Sequence, residues 1–117
     1  MPNHEMFLPW PSKTLSPNAR VHWAPLAAAK KKAKNEAYVL AKNSGLGKID
    51  AEHVAVTLTF YPPNRRAFDV DGLLARHKAA LDGLSMAIGV DDSKFQITPR
   101  MAGTIEKHGL VKIELEW

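Results

Sequence analysis

Cysteine is absent from this chain, which excludes disulfides, thiolate zinc centres and thiol nucleophiles together. No apolar run approaches the roughly 18 residues that a membrane-crossing helix needs. The first residues, M-P-N-H-E-M-F-L-P-W-P, lack the cationic start and long apolar body of a secretion signal. Internal repeats and low-complexity tracts are also missing. The expectation is a soluble cytoplasmic protein. Its 117 residues make one domain, 1–117, too short for a catalytic domain plus a cap. Carboxylates are the scarcer charge, 12 against 16 Lys and Arg, so the net charge is +4. A basic balance of this kind suits a polyanionic partner such as nucleic acid.

Five of those twelve carboxylates nevertheless fall in one stretch, Arg65 to Lys94: Asp69, Asp71, Asp82, Asp91 and Asp92. Gathered carboxylates repel one another unless a cation sits among them, and hard oxygen donors suit Mg²⁺ or Mn²⁺. The stretch is therefore expected to build a metal site.

Around it the patterning reads as β-α-β-α-β-β. Glu5 to Trp10 alternates, with Met6, Leu8 and Trp10 on one side, and prolines 9 and 11 make it a strand end. Ser12 to Trp23 has turn residues and no period, which predicts a loop; it carries Lys13, Asn18 and Arg20, groups that can hold phosphates. From Pro25 to Ser44, Leu26, Ala29, Ala33, Ala37 and Leu40 recur at helical spacing, with lysines 30, 31, 32, 34 and 42 over the rest. That lysine face reads more readily as a solvated surface than as a DNA ridge.

His53 to Tyr61 alternates strictly and is the clearest strand. Val70, Leu74, His77, Leu81, Leu84 and Ile88 then predict one helix with a buried face, His77 packed in the core rather than serving as a ligand. On a continuous helix Asp71, Ala75, Lys78 and Asp82 share an adjacent stripe. Phe95 to Ile105 and Leu110 to Trp117 read as two strands joined in a hairpin. The predicted fold is α+β: a single small mixed sheet of about four strands covered by two helices.

The helix poses a geometric problem. Roughly 17 residues span about 25 Å if straight, so Asp69-x-Asp71 and Asp91-Asp92 meet only if the helix starts late, breaks near Gly83, or is folded back upon. Folding back is the expectation. The simpler alternative is that Asp69 and Asp71 only cap the helix and that Lys78 pairs with Asp82.

Two family resemblances meet at these residues. F-D-V-D-G-L-L looks like the first motif of haloacid-dehalogenase-type phosphatases, whose first aspartate is a phosphorylated nucleophile. Against it, Leu73 occupies the Thr or Val position, Pro62-Pro63-Asn64 separate Asp69 from the preceding strand, and too little chain follows for a doubly wound fold.

The wider match is to RusA-type crossover junction endodeoxyribonucleases, Holliday-junction resolvases common in prophages. It runs through L-P-W-P at Leu8 to Pro11, the loop with Asn18 and Arg20, the arginines 65 and 66 before D-x-D, K-A-A-L-D-G-L at Lys78 to Leu84, and D-D at Asp91 and Asp92. The resemblance implies a Mg²⁺-dependent homodimer, active in DNA recombination and repair, that nicks opposed strands of a four-way junction. It implies Asp69, Asp71 and Asp92 as metal-site acids, Asp91 beside them, and Lys78 as the catalytic lysine. DNA contacts are expected from Lys13, Asn18, Arg20, Arg65, Arg66, Arg76 and Lys94. The segment between Asp71 and Lys78 is three residues longer than in the family's best-known member and Gly72 replaces a common Asn, so Arg76 is the second candidate cation. Leu81 stands where an aromatic wedge acts in that family, although its place on the apolar stripe suits core packing. A non-catalytic DNA-binding module of the same fold is the competing reading.

Overall fold

The computed structural model describes residues 2–16, 19–20 and 22–117. Strand β1 (Asn3–Leu8) is followed by a short 3₁₀ turn and helix α1 (Trp23–Asn43). Next come strand β2 (Val54–Tyr61), helices α2 (Val70–Arg76) and α3 (Lys78–Ile88), and strands β3 (Phe95–Met101) and β4 (Leu110–Glu116). The four strands form one mixed sheet in the order β1-β4-β2-β3, which is the α+β architecture expected. No helix of the described residues is long and apolar enough to cross a membrane.

The alternation in β2 does what its period requires. Val54, Val56, Leu58 and Phe60 all point to one face and are fully buried. Opposite them in register, Leu115, Ile113 and Val111 of β4 pair with Val56, Leu58 and Phe60, and Met6 and Leu8 of β1 continue the layer. The same core takes in Ala37 and Ala41 of α1 and Leu81, Leu84, Ala87 and Ile88 of α3. Leu81 is thus a core residue, not an exposed wedge. The other face is polar: Lys112 bridges Glu5 at 3.5 Å and Glu114 at 3.9 Å.

Two elements depart from the sequence reading. β3 and β4 do not form a hairpin: β3 runs parallel to β2, and β4 lies on the other side of β2, antiparallel to it. The connection between them passes over the end of β2, held by Ala102 N–H to the Phe60 carbonyl (2.9 Å) and Glu106 N–H to the Pro62 carbonyl (3.0 Å). Burial explains the choice. The apolar side of β4 is completely buried, whereas β3 is largely exposed and carries Pro99, which confines it to an edge. Parallel pairing of β2 and β3 also follows from the helical crossover between them.

The predicted single helix is two, so three helices accompany the sheet rather than two. His77 interrupts it with φ −93° and ψ 0°, its N–H bonding back to Leu74 in a tightened last turn. Because the apolar spacing of three and four residues continues across the break, the interruption leaves no mark on the pattern. The Asp71-Ala75-Lys78-Asp82 stripe is therefore not continuous. Gly83 does not break the helix; α3 runs on to Gly89, a left-handed cap with φ 72°.

An aromatic chain fixes the Leu8 to Pro11 segment. Trp10 meets Phe60 edge-on at 6.1 Å and Phe68 at 5.2 Å, and Phe60 meets His77 at 5.4 Å. Gly109, at φ 75°, comes so close to Trp10 that a Cβ would lie 2.7 Å from the indole Cγ. Gly109→Ala combines a left-handed backbone with that overlap, and is expected to destabilise the fold by about 1–3 kcal/mol in urea unfolding.

His77 is 3% exposed. Burial lowers its pKa from 6.5 to about 4, so the folded protein holds it neutral at pH 7. As pH falls below 6.5 the unfolded chain takes up a proton that the folded chain refuses, and stability drops until both are protonated near pH 4. The loss is about 3 kcal/mol across this window. Unfolding curves at pH 7, 5.5 and 4 are expected to reveal this drop, and His77→Phe is expected to remove the share that His77 contributes.

Candidate functional site

Asp69 is the N-cap of α2. Its carboxylate accepts the Asp71 backbone N–H at 3.2 Å, using one donor that the helix start leaves free. Asp71 follows in the first turn, where a negative charge is favoured. Both carboxylates are exposed. The capping alternative is thus met for Asp69, and it leaves one oxygen of that carboxylate and the whole of Asp71 uncommitted.

Asp91 has the same role after α3, where it caps a 3₁₀ turn, Asp92–Lys94, by accepting from Ser93 N–H at 3.4 Å. That hydrogen bond, with those from Asp92 and Ser93 side chains, lowers its pKa. Asp92 moves the other way. Its carboxyl lies against those of Asp82 and Asp91, whose hydrogen bonds and negative charge raise its pKa. The two directions arise in one crowded group of carboxyls.

After α3 the chain turns back as far as Asp82, against which Asp92 lies. α2 packs against β3, and the Asp92–Lys94 turn leads directly into β3. The carboxyls against Asp92 are those of Asp82 and Asp91, and Asp69 and Asp71 are not among them. The acids remain two groups: among the described residues, no three His, Asp or Glu side chains converge on one point that could hold a metal ion. Asp91 and Asp92 form an acidic flank with Asp82, Asp69 and Asp71 stand at the start of α2, and the four acids Asp69, Asp71, Asp91 and Asp92 are not closed into a cage among the described residues.

Asp82 belongs to the carboxylate cluster of the sequence but not to the D-x-D and D-D pairs, and its neighbour was not anticipated. Helical periodicity puts it on a stripe with Lys78, yet no ion pair joins the two among the described residues. It faces Asp92 instead. The available signal was its position on the exposed side of the helix that the following chain had to fold back along.

The cations divide between surface and interior. Lys78 is exposed at the start of α3, and Lys13, Arg20, Arg65, Arg66 and Lys94 are exposed on turns and loops. Asn64 accepts the Arg66 backbone N–H at 2.9 Å, which shapes the arginine loop. Asn18 lies outside the described residues. Arg76 differs from all of these, because its Nε and Nη1 are shielded from solvent and lack a partner among the described residues.

The phosphatase-like reading of F-D-V-D-G-L-L finds no support in this fold. Asp69 caps a helix after the loop from 62 to 69, rather than ending a strand of a doubly wound sheet. What the structure defines is an α+β domain with an acidic flank on an otherwise basic chain. No family model matches the sequence. It is 40% identical over 111 residues to an uncharacterized protein of Xylella fastidiosa (strain Temecula1 / ATCC 700964), covering 92% of this chain and 72% of that protein. The chain belongs to the same family as that protein.

Proposed function

We propose that this chain is a divalent-metal-dependent endonuclease acting on branched DNA, a junction-resolving enzyme of the RusA type. The observation that most supports this reading is the crowding of exposed Asp82, Asp91 and Asp92 at the turn that leads into β3, on a chain that also carries Asp69 and Asp71 at the start of α2. Crowded carboxylates on a basic chain are what a divalent cation would relieve, and oxygen donors fit Mg²⁺ or Mn²⁺. Asp69, Asp71 and Asp92 would hold it, with Asp91 and Asp82 alongside. Such an ion, when bound, activates water and neutralises charge on a phosphodiester.

The chain's own residues do the rest. Lys78 offers a positive charge to the non-bridging oxygens of the scissile phosphate. Lys13, Arg20, Arg65, Arg66 and Lys94 supply phosphate contacts that position the duplex arms without reading sequence. Paired nicks in opposed strands need two copies of a site that one chain carries once, so the reading requires a two-fold homodimer.

A non-catalytic DNA-binding module is the second reading, favoured by the absence of three converging acids among the described residues. Incubating a mobile four-way junction beside linear duplex, with and without Mg²⁺, separates them. Metal-dependent, junction-selective nicking is the expected result; junction binding with no cleavage in Mg²⁺ or Mn²⁺ supports the module. A protein that stays monomeric on the junction removes the paired-nick mechanism.

A further inference from the structure

A cleft of about 410 Å³ lies where the end of β1 and the turn after it meet the middle of α1 and the junction of α2 with α3. None of Asp69, Asp71, Asp82, Asp91 and Asp92 lines it. Its walls are mainly apolar, with Leu8, Trp10, Leu15 and Ala33 among them. Two consecutive residues at the helix junction carry solvent-shielded polar atoms that have no partner among the described residues: Nε and Nη1 of Arg76, and Nε2 of His77. Both residues line the cleft, as does Lys32 of α1.

Buried N–H groups of a guanidinium are costly without an acceptor, and more so when the group carries its full charge. Glu36 is the one carboxylate among the lining residues, yet no ion pair joins it to Arg76 among the described residues. The helix break at His77 places both side chains at this junction, so the local geometry that interrupts the helix also builds the polar end of the cleft.

We propose that this cleft binds a small organic anion, a phosphate or carboxylate head on a compact apolar body. The head sits on Arg76 with Lys32 beside it, and the body lies among Trp10, Leu15 and Ala33. His77, neutral at pH 7 because burial lowers its pKa, adds one directional hydrogen bond through Nε2 without adding charge. Arginine presents donors in a fork that matches both head groups. The volume is of the size that small-molecule sites occupy, and a mostly apolar lining with a few convergent polar atoms is their usual make-up. The site shares none of its lining with the acids or Lys78 of the nuclease reading, and Arg76, whose Nε and Nη1 are shielded from solvent, serves here rather than as a DNA contact.

The test titrates inorganic phosphate, phenyl phosphate and benzoate into the ¹⁵N-labelled protein without metal or DNA. Phenyl phosphate or benzoate is expected to shift the Trp10 indole N–H, the Arg76 Nε–H and the Ala33 amide together, and the tighter of the two identifies the head group. Inorganic phosphate, which buries no apolar body, is expected to bind roughly tenfold more weakly. Arg76→Gln is expected to weaken binding roughly tenfold or more. Lys112→Gln removes the same charge at a position that does not line the cleft and is expected to change nothing. If Arg76→Gln fails to fold, Lys32→Gln, at an exposed position on α1, reads the same dependence on charge. The proposal is overturned if none of the three anions moves these resonances at about 10 mM, or if both charge variants bind as wild type does.

Discussion

Asp71→Asn and Asp92→Asn are each expected to lower Mg²⁺-dependent cleavage of a four-way junction by roughly a hundredfold or more, while leaving junction binding intact. The size follows from what a bound divalent ion supplies, several kcal/mol of charge stabilisation, at about 1.4 kcal/mol per tenfold in rate. Asparagine keeps the shape of the side chain and removes one negative charge. Binding measured in EDTA should therefore stay equal or tighten, because the substrate is itself a polyanion. Asp82→Asn is the informative third variant. Asp82 faces Asp92 across the fold-back, so its loss is expected to raise the Mg²⁺ concentration needed for half-maximal cleavage even though it lies outside the D-x-D and D-D motifs. A rate unchanged in either Asp71→Asn or Asp92→Asn would sink the site assignment.

How much of this was legible in the sequence depended on whether the pattern carried long-range information. The strict alternation of Val54 to Phe60 announced a strand buried on one face, and Val54, Val56, Leu58 and Phe60 are fully buried, with Thr59 of the other face covered as well. The pairing of β3 was not legible, because nearness in sequence suggested a hairpin while the parallel partner of β3 was set by the crossover through α2 and α3. The burial patterns held the better clue: Val111, Ile113 and Leu115 make a strand for the middle of a sheet, and a strand with Pro99 belongs at its edge. Among the acids, capping was legible for Asp69 by its position before α2, whereas the capping role of Asp91 was not anticipated. Nor was the neighbour of Asp82 legible, because it lies ten residues away on a segment whose return path no local spacing encodes. Arg76 was expected as a DNA contact and second candidate cation, and no local spacing signalled that its Nε and Nη1 are shielded from solvent.

Gly83→Ala is expected to destabilise the protein by about 1–3 kcal/mol or more, the opposite sign from helix propensity alone. In a solvent-facing helix the change would stabilise by about 1 kcal/mol. Here α3 crosses α1 at this residue, and a Cβ would run into the Lys34 carbonyl oxygen and lie 3.2 Å from the Ala37 Cβ. The obstacle is helix backbone rather than the end of a flexible side chain, so one helix must move away from the other. Small residues line both sides of this contact: Ala37 and Ala41 on α1, Ala80, Gly83 and Ala87 on α3, all buried. Gly47→Ala is the matched control, since a Cβ there meets nothing within 4 Å; it is expected to be neutral or to stabilise by about 0.4–1 kcal/mol through the unfolded chain. Urea unfolding of both variants decides the sign. The crossing also bears on the site, because Asp82 precedes Gly83 and Lys78 begins the same helix. Displacing α3 from α1 moves Asp82 relative to the turn that carries Asp92, so in Gly83→Ala any loss of cleavage should accompany the loss of stability, whereas Asp92→Asn should lose cleavage alone.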